Sequence, residues 1–485
     1  MSIKSRFKQL GKDSVIYGIG GIIAKGIGFF LLPVYTRIFS PAEYGTIEML
    51  MVLNQFLGAL LVMGMDAAQS FYFFEQKQGG VKAQSRVVTA ILQWRLSWGA
   101  CIVLISTLAS PLLSKFFFND RLDWTYFGIA FLAALFTQIL IQSAEVFRLQ
   151  YRPIGYLTIT LCQTLGSAAL ALTLILVFGF GVKGYFLGML GGGFSAAVIG
   201  WWSVRAYVDF SKWHFDWWPR LLRFGSPLLP AALAMYVLRT SDRWFVGHYQ
   251  GEEALGLYGV GARFAQIILA AVITFRRAWW PLAMDAMHSE DGPQLFKMIG
   301  RLYLGFGIMG IILLTALSPY LVKWFTAADY NSAYPIVGIL AWYPVFFGFY
   351  LLTAAGIWKK EQTKIAPFLS GFAALLNVGL DFLLVPNFGG IGAATATAIS
   401  FGVWNMATLM VSERLWKVWH NFFIFLVQIL IGVIVCALIL ISYKNNVNIL
   451  NIAVLTIFGM LSMAALSAKR EHIRKGISLI MDKIK

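Results

Sequence analysis

FGFGVKGYFLG, residues 178–188, returns about 210 residues later as PNFGGIGAATA, residues 386–396, with Gly181 over Gly389 and Gly184 over Gly392. Each copy is a glycine-punctuated turn between two apolar runs, and each run is long enough to cross a hydrocarbon core as a helix. A second pair falls at a similar separation: SPAEYGTIEM (40–49) lies over GEEALGLYGV (251–260), aligning Gly45 with Gly256 and, further on, Gln55 with Gln266. Two copies in the same order are an internal repeat. With six spans in each copy, an even number, the halves share one orientation and are related by a pseudo-two-fold axis along the membrane normal, around a central cleft.

Composition agrees with membrane spans from end to end. Of 485 residues, 59% are hydrophobic, 16% aromatic and only 13% charged, and the mean hydropathy is +0.72. A soluble chain of this length needs more charge to cover its surface. The runs are too long for barrel strands and lack strict alternation, which leaves helices as the spanning elements. Fourteen are expected: 14–39, 45–73, 85–113, 123–149, 155–178, 181–209, 219–246, 254–283, 297–326, 334–358, 364–385, 389–413, 419–443 and 447–468. The fold expected is therefore an all-α integral membrane protein with an N-terminal six-helix lobe (1–213), a C-terminal six-helix lobe (214–418), and an accessory helix pair with a basic amphipathic tail (419–485).

The cations set the orientation. Of 39 lysines and arginines, 27 fall in the segments that share the side of the N-terminus and six (Arg37, Lys115, Arg121, Lys183, Lys323, Lys444) on the other. By the positive-inside rule both termini are cytoplasmic. The N-terminus MSIKSRFKQLGKDS imitates a secretory signal, yet its apolar run continues past Lys25 to about Phe39 without a small-residue cleavage site, so it reads as an uncleaved first span. At the other end Ile473, Ile477, Ile480 and Ile484 recur at helical spacing opposite Arg470, Arg474, Lys475 and Lys483, the pattern of a helix lying on anionic lipid. Tryptophans such as Trp217, Trp218, Trp279, Trp280, Trp416 and Trp419 sit near span ends as an aromatic belt.

Several chemistries are excluded. The net charge of +17 is spread through short loops rather than gathered in a basic patch, which argues for lipid headgroups and against nucleic acid. Cys101, Cys162 and Cys436 are isolated in apolar stretches, with neither a disulfide framework nor a CxxC site. No HExxH and no Walker A pattern occurs, and GMLGGG (188–193) lies inside an apolar span, where glycines mean helix packing. No cofactor, ATP motor or hydrolase is indicated.

The informative residues are ionisable groups inside apolar runs, which are costly there and mark function by default. Gly18, Gly21, Lys25 and Gly28 share one face of the first span. LRTSDRWFVGHYQ (238–250) puts Arg239 and Arg243 four residues apart with Asp242 beside them, and Arg263 with Gln266 follows in the eighth span. Two readings compete: ion pairs that staple helices, and a cationic site for an anionic substrate. Lys25, Arg239, Arg243 and Arg263 outnumber Asp242, and even with Glu48 and Asp66 recruited from the second span the lining stays positive. The planar guanidinium suits phosphate oxygens and never deprotonates. Glu48, Asp66 and Asp242 are the coupling or gating candidates. Glu145, three residues before Arg148, reads as a surface pair, and Asp381 as a local cap or pair.

LLPVYTRIFSPAEYGTIEML (31–50), MGMDAAQ (63–69), SDRWFVGHYQGEEALGLYGVGARFAQ (241–266) and AWWPLAM (278–284) together resemble the polysaccharide transport branch of the multidrug/oligosaccharidyl-lipid/polysaccharide exporter superfamily, over nearly the whole chain. The resemblance implies a Wzx-type flippase. Such a protein moves an undecaprenyl-diphosphate-linked oligosaccharide, destined for O-antigen, capsule or another glycan, from the inner to the outer leaflet of the bacterial inner membrane, with a glycan polymerase as a further partner. A lipid II flippase of the same superfamily would share the cationic cleft. A drug/cation antiporter would favour a carboxylate in the first span, where this chain has Lys25, and a membrane-embedded glycan polymerase or ligase would need larger outer loops.

Overall fold

The computed structural model describes residues 26–362, 364–418 and 423–467. Lys25, the glycine face before it, Trp419 and the amphipathic C-terminal segment lie outside the described residues. Within them the chain is helical and has no strand. Ten helical stretches are long and apolar enough to cross a membrane. Breaks near Gly80, at Gly251 and at Gly389 split three of these into pairs, and the shorter apolar helix Gly26–Ile38 precedes them, which is roughly consistent with the fourteen spans expected. Two compact units emerge, Met1–Thr240 and Ser241–Lys485. Their division falls inside a helix, whereas the sequence puts the lobe boundary near residue 213; residues 229–240 group with the first unit, where Tyr236 Oη donates to the Val52 carbonyl at 2.8 Å.

In the first unit, α1 (Leu32–Ile38) gives way at once to α2 (Pro41–Val62). Ser40 starts α2 with a capping box: Ser40 Oγ accepts from the Glu43 N–H while the Glu43 carboxylate accepts from the Ser40 N–H, and Pro41 occupies the first helical position, where no N–H is needed. The helix stops at Met63 and Gly64, both left-handed, with φ of 43° and 72°. Then follow α3 (Met65–Glu75), α4 (Gly80–Leu108), α5 (Ser110–Phe118), α6 (Trp124–Leu149), α7 (Pro153–Leu176), α8 (Gly181–Ser203) and α9 (Trp218–Gly225). The GMLGGG glycines are the packing face of α8 on α7: a Cβ at Gly188 would stand 2.4 Å from the Ala171 backbone, and one at Gly192 2.3 Å from Ser167 Oγ.

Residues 204–225 are fastened to α4. Gln93 donates to the Lys212 carbonyl and accepts from the His214 N–H, both at 2.9 Å, and Trp218 Nε1 donates to the Ala90 carbonyl at 3.1 Å. Beneath them Trp217 and Leu221 join Met65, Ala68, Val87 and Ile91 in one buried apolar cluster. The backbone turn at Gly64 meets the end of α9 so closely that a Cβ there would lie 2.2 Å from the Gly225 carbonyl oxygen.

The second unit begins within α10 (Leu229–His288), which breaks at Gly251. It continues with α11 (Gly292–Phe325), the successive segments α12 (Tyr334–Leu340), α13 (Trp342–Thr353) and α14 (Ala355–Lys359), α15 (Ile365–Leu415, broken at Gly389), α16 (Phe423–Lys444) and α17 (Ile449–Ser467). The last two helices dock on α11. Arg301 Nε donates to the Leu466 carbonyl, Gln428 Nε2 donates to Ser467 Oγ at 3.1 Å, and a Cβ at Gly432 would sit 2.6 Å from Ile308.

The turns quoted at the outset are the same device in each unit. Gly181 and Gly389 both adopt positive φ, 50° and 55°. Three residues on, a Cβ at Gly184 would be 3.1 Å from Phe180 Cβ, and one at Gly392 3.1 Å from Phe388 Cβ, so each incoming helix lies against the turn it has just left.

Candidate functional site

The first unit holds a cavity of about 530 Å³ whose walls come from α2, α6, α8 and the start of α10. Its polar groups are Asn54, Gln55, Thr137, Gln138, Arg239 and Thr240, and no carboxylate is among the residues lining it. Arg239 is exposed there. Tyr236 leans over Phe56 with ring centroids 5.6 Å apart, and its hydroxyl is tied to α2. Gly58 makes room for the Gln138 amide: a Cβ would stand 3.1 Å from Nε2. Asn54 is buried, 7% exposed, and among the described residues neither atom of its amide has a hydrogen-bond partner. Glu48 is buried on the same helix.

Asp66, in the first turn of α3 after the Met63–Gly64 break, pairs with Arg95. Arg95 is 1% exposed, the largest of the fully buried side chains, and also donates to the Gln138 carbonyl, so one guanidinium ties α3, α4 and α6 together. The local signal for this role is the place of Arg95 inside the apolar run QWRLSW, within the expected span 85–113. Glu145 accepts from Arg148 Nη2 at 2.5 Å, as its spacing suggests, and from Ser70 Oγ at 3.0 Å.

In the second unit the acidic residue of LRTSDRWFVGHYQ is the centre of a buried polar cluster. Asp242 is 3% exposed; it accepts from the Tyr258 hydroxyl, from Thr397 Oγ1 at 3.4 Å and from Arg243 Nη1 at 3.5 Å. Arg243 also lies over the Tyr258 ring, 5.8 Å from its centroid. Beside Asp242, Ser241 Oγ donates to Asn377 Oδ1 at 2.9 Å and stands 3.5 Å from Asp381 Oδ2. Asn377 and Asp381 are wholly buried, and among the described residues Asp381 Oδ1 and Asn377 Nδ2 have no partner. Asp381 is thus more than a local cap. Two carboxylates with an amide and hydroxyls can hold a proton or a small monovalent cation. Among the described residues no group of three or more His, Cys, Asp or Glu could hold a metal ion.

Arg263 is half-buried on α10 beyond Gly251. Arg276, also on α10, stacks on Phe347 at 4.4 Å and has Tyr303, Tyr343 and Tyr350 as electrostatic neighbours, an aromatic setting for a cation. Two further cavities in this unit, about 570 and 580 Å³, are lined mainly by apolar side chains.

The comparisons agree with this architecture. A family model described as Polysaccharide biosynthesis protein matches residues 10–287, more than half of the chain, and one described as MatE matches residues 227–383. Two proteins of Haemophilus influenzae are similar: an "Uncharacterized membrane protein", 24% identical over 58% of this chain and 66%, just under two thirds, of its own length, and "Lsg locus putative protein 1", 22% identical over 66% of this chain and 75% of its own. Among solved structures, lipid II flippase MurJ in an inward closed conformation covers 93% of this chain and 98% of its own at a TM-score of 0.71 and 15% identity. An inward-facing multidrug resistance MATE family transporter of the MOP superfamily covers 80% of this chain and 94% of its own at 0.69 and 14% identity. These structures share the fold.

Proposed function

The chain belongs to the polysaccharide biosynthesis protein family, and from that membership we propose that it is the flippase for an undecaprenyl-diphosphate-linked oligosaccharide of a surface glycan, moving it from the inner to the outer leaflet of a bacterial inner membrane. The observation that carries the proposal is the Arg239 cavity: a hollow of about 530 Å³ among apolar helices, with several polar side chains, a guanidinium and no carboxylate on its walls. A diphosphate is the substrate group that cannot cross hydrocarbon uncompensated, and arginine replaces its hydration with charge-assisted bonds. Arg239 is the diphosphate ligand of the first unit. Arg243, Arg263 and Lys25 are further candidates for contact with the anionic group, and the mainly apolar cavities of the second unit suit an isoprenoid chain.

Transport is by alternating access, opening to one side and then the other, without catalysis. The buried cluster of Asp242 and Asp381 takes the coupling proton or monovalent cation, and Glu48 and Asp66 are gating residues of the first unit. Both termini are cytoplasmic, a glycan polymerase consumes the delivered unit, and anionic lipid attracts the basic segments. Deleting the gene tests the reading: one surface glycan is lost while its lipid-linked unit accumulates on the cytoplasmic side. Loss of the glycan without that accumulation refutes it.

A further inference from the structure

Arg276, on the stretch of α10 beyond Gly251, stands among aromatic rings with no anion beside it. Its guanidinium lies over the Phe347 ring, 4.4 Å from the centroid, and its electrostatic neighbours are Tyr303, Tyr343 and Tyr350. Among the described residues it forms no salt bridge and donates no hydrogen bond, although a charge in an apolar helix is costly when nothing compensates it. Tyr343, Phe347 and Tyr350 recur at i, i+4 and i+7, so they share one face of α13. Tyr303 is engaged: its hydroxyl donates to the Val345 carbonyl at 3.0 Å, in the room that Gly348 leaves. Tyr343 and Tyr350 differ, since among the described residues neither hydroxyl has a hydrogen-bond partner. Arg276, Tyr343 and Tyr350 are half-buried, and none of their unpaired polar atoms is fully buried, so these donors face open space.

The donors select the ligand. A guanidinium stacked on a ring keeps its N–H edges free, and a phenol donates, so the three groups offer donors and a positive charge to oxygens that only accept, which is the chemistry of a phosphate. Past Tyr303 an apolar groove begins. Tyr303 and Phe275, with ring centroids 4.7 Å apart, line one end of the cavity of about 580 Å³ that follows α10 and α11 past Ile268, Phe306 and Leu317. A cationic head site beside an apolar groove matches an amphipathic ligand with one phosphate end. We propose that Arg276, Tyr343 and Tyr350 hold the phosphate of a membrane lipid whose chain lies in this groove. Arg263 stands thirteen residues earlier on the same helix, roughly 20 Å along its axis and on a different face, so this site is separate from any contact made there. The lipid is either undecaprenyl diphosphate, an identity that rests on the flippase reading, or a bilayer phospholipid; the phosphate is common to both.

The test uses the purified full-length protein in dodecyl maltoside, a detergent without phosphate, and carries Arg239→Ala throughout so that the cavity of the first unit does not mask the second site. Binding of undecaprenyl diphosphate, phosphatidylglycerol and undecaprenol, which has no phosphate, is measured. Arg276→Gln is expected to weaken at least one of the two lipid phosphates about tenfold, the worth of a charge-assisted hydrogen bond, and to leave undecaprenol unchanged. Tyr343→Phe with Tyr350→Phe keeps both rings and weakens the same lipid. Gly310→Phe, which puts a ring on the groove wall where a Cβ meets nothing within 4 Å, weakens it too. A loss confined to undecaprenyl diphosphate assigns the site to the transported lipid, and a loss that includes phosphatidylglycerol assigns it to phosphate-bearing lipids at large. Unchanged binding of both lipid phosphates in Arg276→Gln, or in the double phenylalanine variant, overturns the site. So does an Arg276→Gln protein that melts lower and loses undecaprenol equally, which marks a packing role. Failure of the protein with native Arg239 to bind undecaprenyl diphosphate overturns the flippase reading, and phosphatidylglycerol alone then decides the site.

Discussion

Arg95, 1% exposed in the middle of α4, is neutralised by Asp66, which sits in the first turn of α3, just after the left-handed break at Met63 and Gly64. The pair fixes α3 against α4 and, through the Gln138 carbonyl, both against α6. Removing one partner strands a buried charge, which costs roughly 3–5 kcal/mol for a fully buried pair and falls toward the lower end here because Asp66 is partly exposed. Asp66→Ala should therefore reduce folded yield sharply in detergent, and Asp66→Ala with Arg95→Met should restore most of it. Size-exclusion profiles and melting curves of the two variants check this; a double variant no better than the single one contradicts it.

Arg239 and Arg243 are four residues apart yet have different neighbours, and their alanine variants should fail differently. Arg239 lines a cavity, so Arg239→Ala should leave membrane protein levels intact and lower glycan export about tenfold or more, the worth of one charge-assisted bond. Arg243 offsets the buried Asp242, so Arg243→Ala should lower the protein level itself. Immunoblots alongside complementation distinguish the two outcomes.

Gly64 is required by both conformation and space. Its φ of +72° costs an L side chain about 1–2 kcal/mol, and its Cβ would overlap the Gly225 carbonyl at 2.2 Å. Gly64→Ala should abolish folded yield. Gly310→Ala, where a Cβ meets nothing within 4 Å among the described residues, should be neutral or slightly stabilising in the same melting assay.

The spans, the turn repeated at Gly181 and Gly389, and the packing role of GMLGGG were legible because each depends on local sequence: apolar run length, glycine at positive φ, small residues at helical spacing. The capping box of SPAE is a local signal of the same kind, and it starts α2 at Pro41, four residues before the expected span 45–73. What sequence could not supply was tertiary pairing. Arg95 lies within an expected span, but nothing local names Asp66 as its partner, 29 residues away. Asp381 resembled a helix-end residue until the fold brought Ser241 to it from 140 residues earlier.

Asp381 is buried beside Ser241 and Asn377 with one oxygen unpartnered among the described residues, which suits reversible occupation by a proton or a monovalent cation. Asp381→Asn, nearly isosteric, should preserve folded yield and remove the response of transport to imposed proton or sodium gradients in proteoliposomes. Retention of the wild-type response would assign coupling elsewhere.

A flippase carries a lipid-linked saccharide across a bilayer without any other protein, and reconstitution tests this directly. Purified protein is reconstituted into liposomes holding an undecaprenyl-diphosphate saccharide on the inner leaflet only, and the fraction open to an external, membrane-impermeant glycosidase is followed with time. Wild type is expected to expose the saccharide steadily while Arg239→Ala stays near the protein-free rate. Exposure by wild type no faster than in protein-free liposomes, under every imposed proton and sodium gradient, would contradict it.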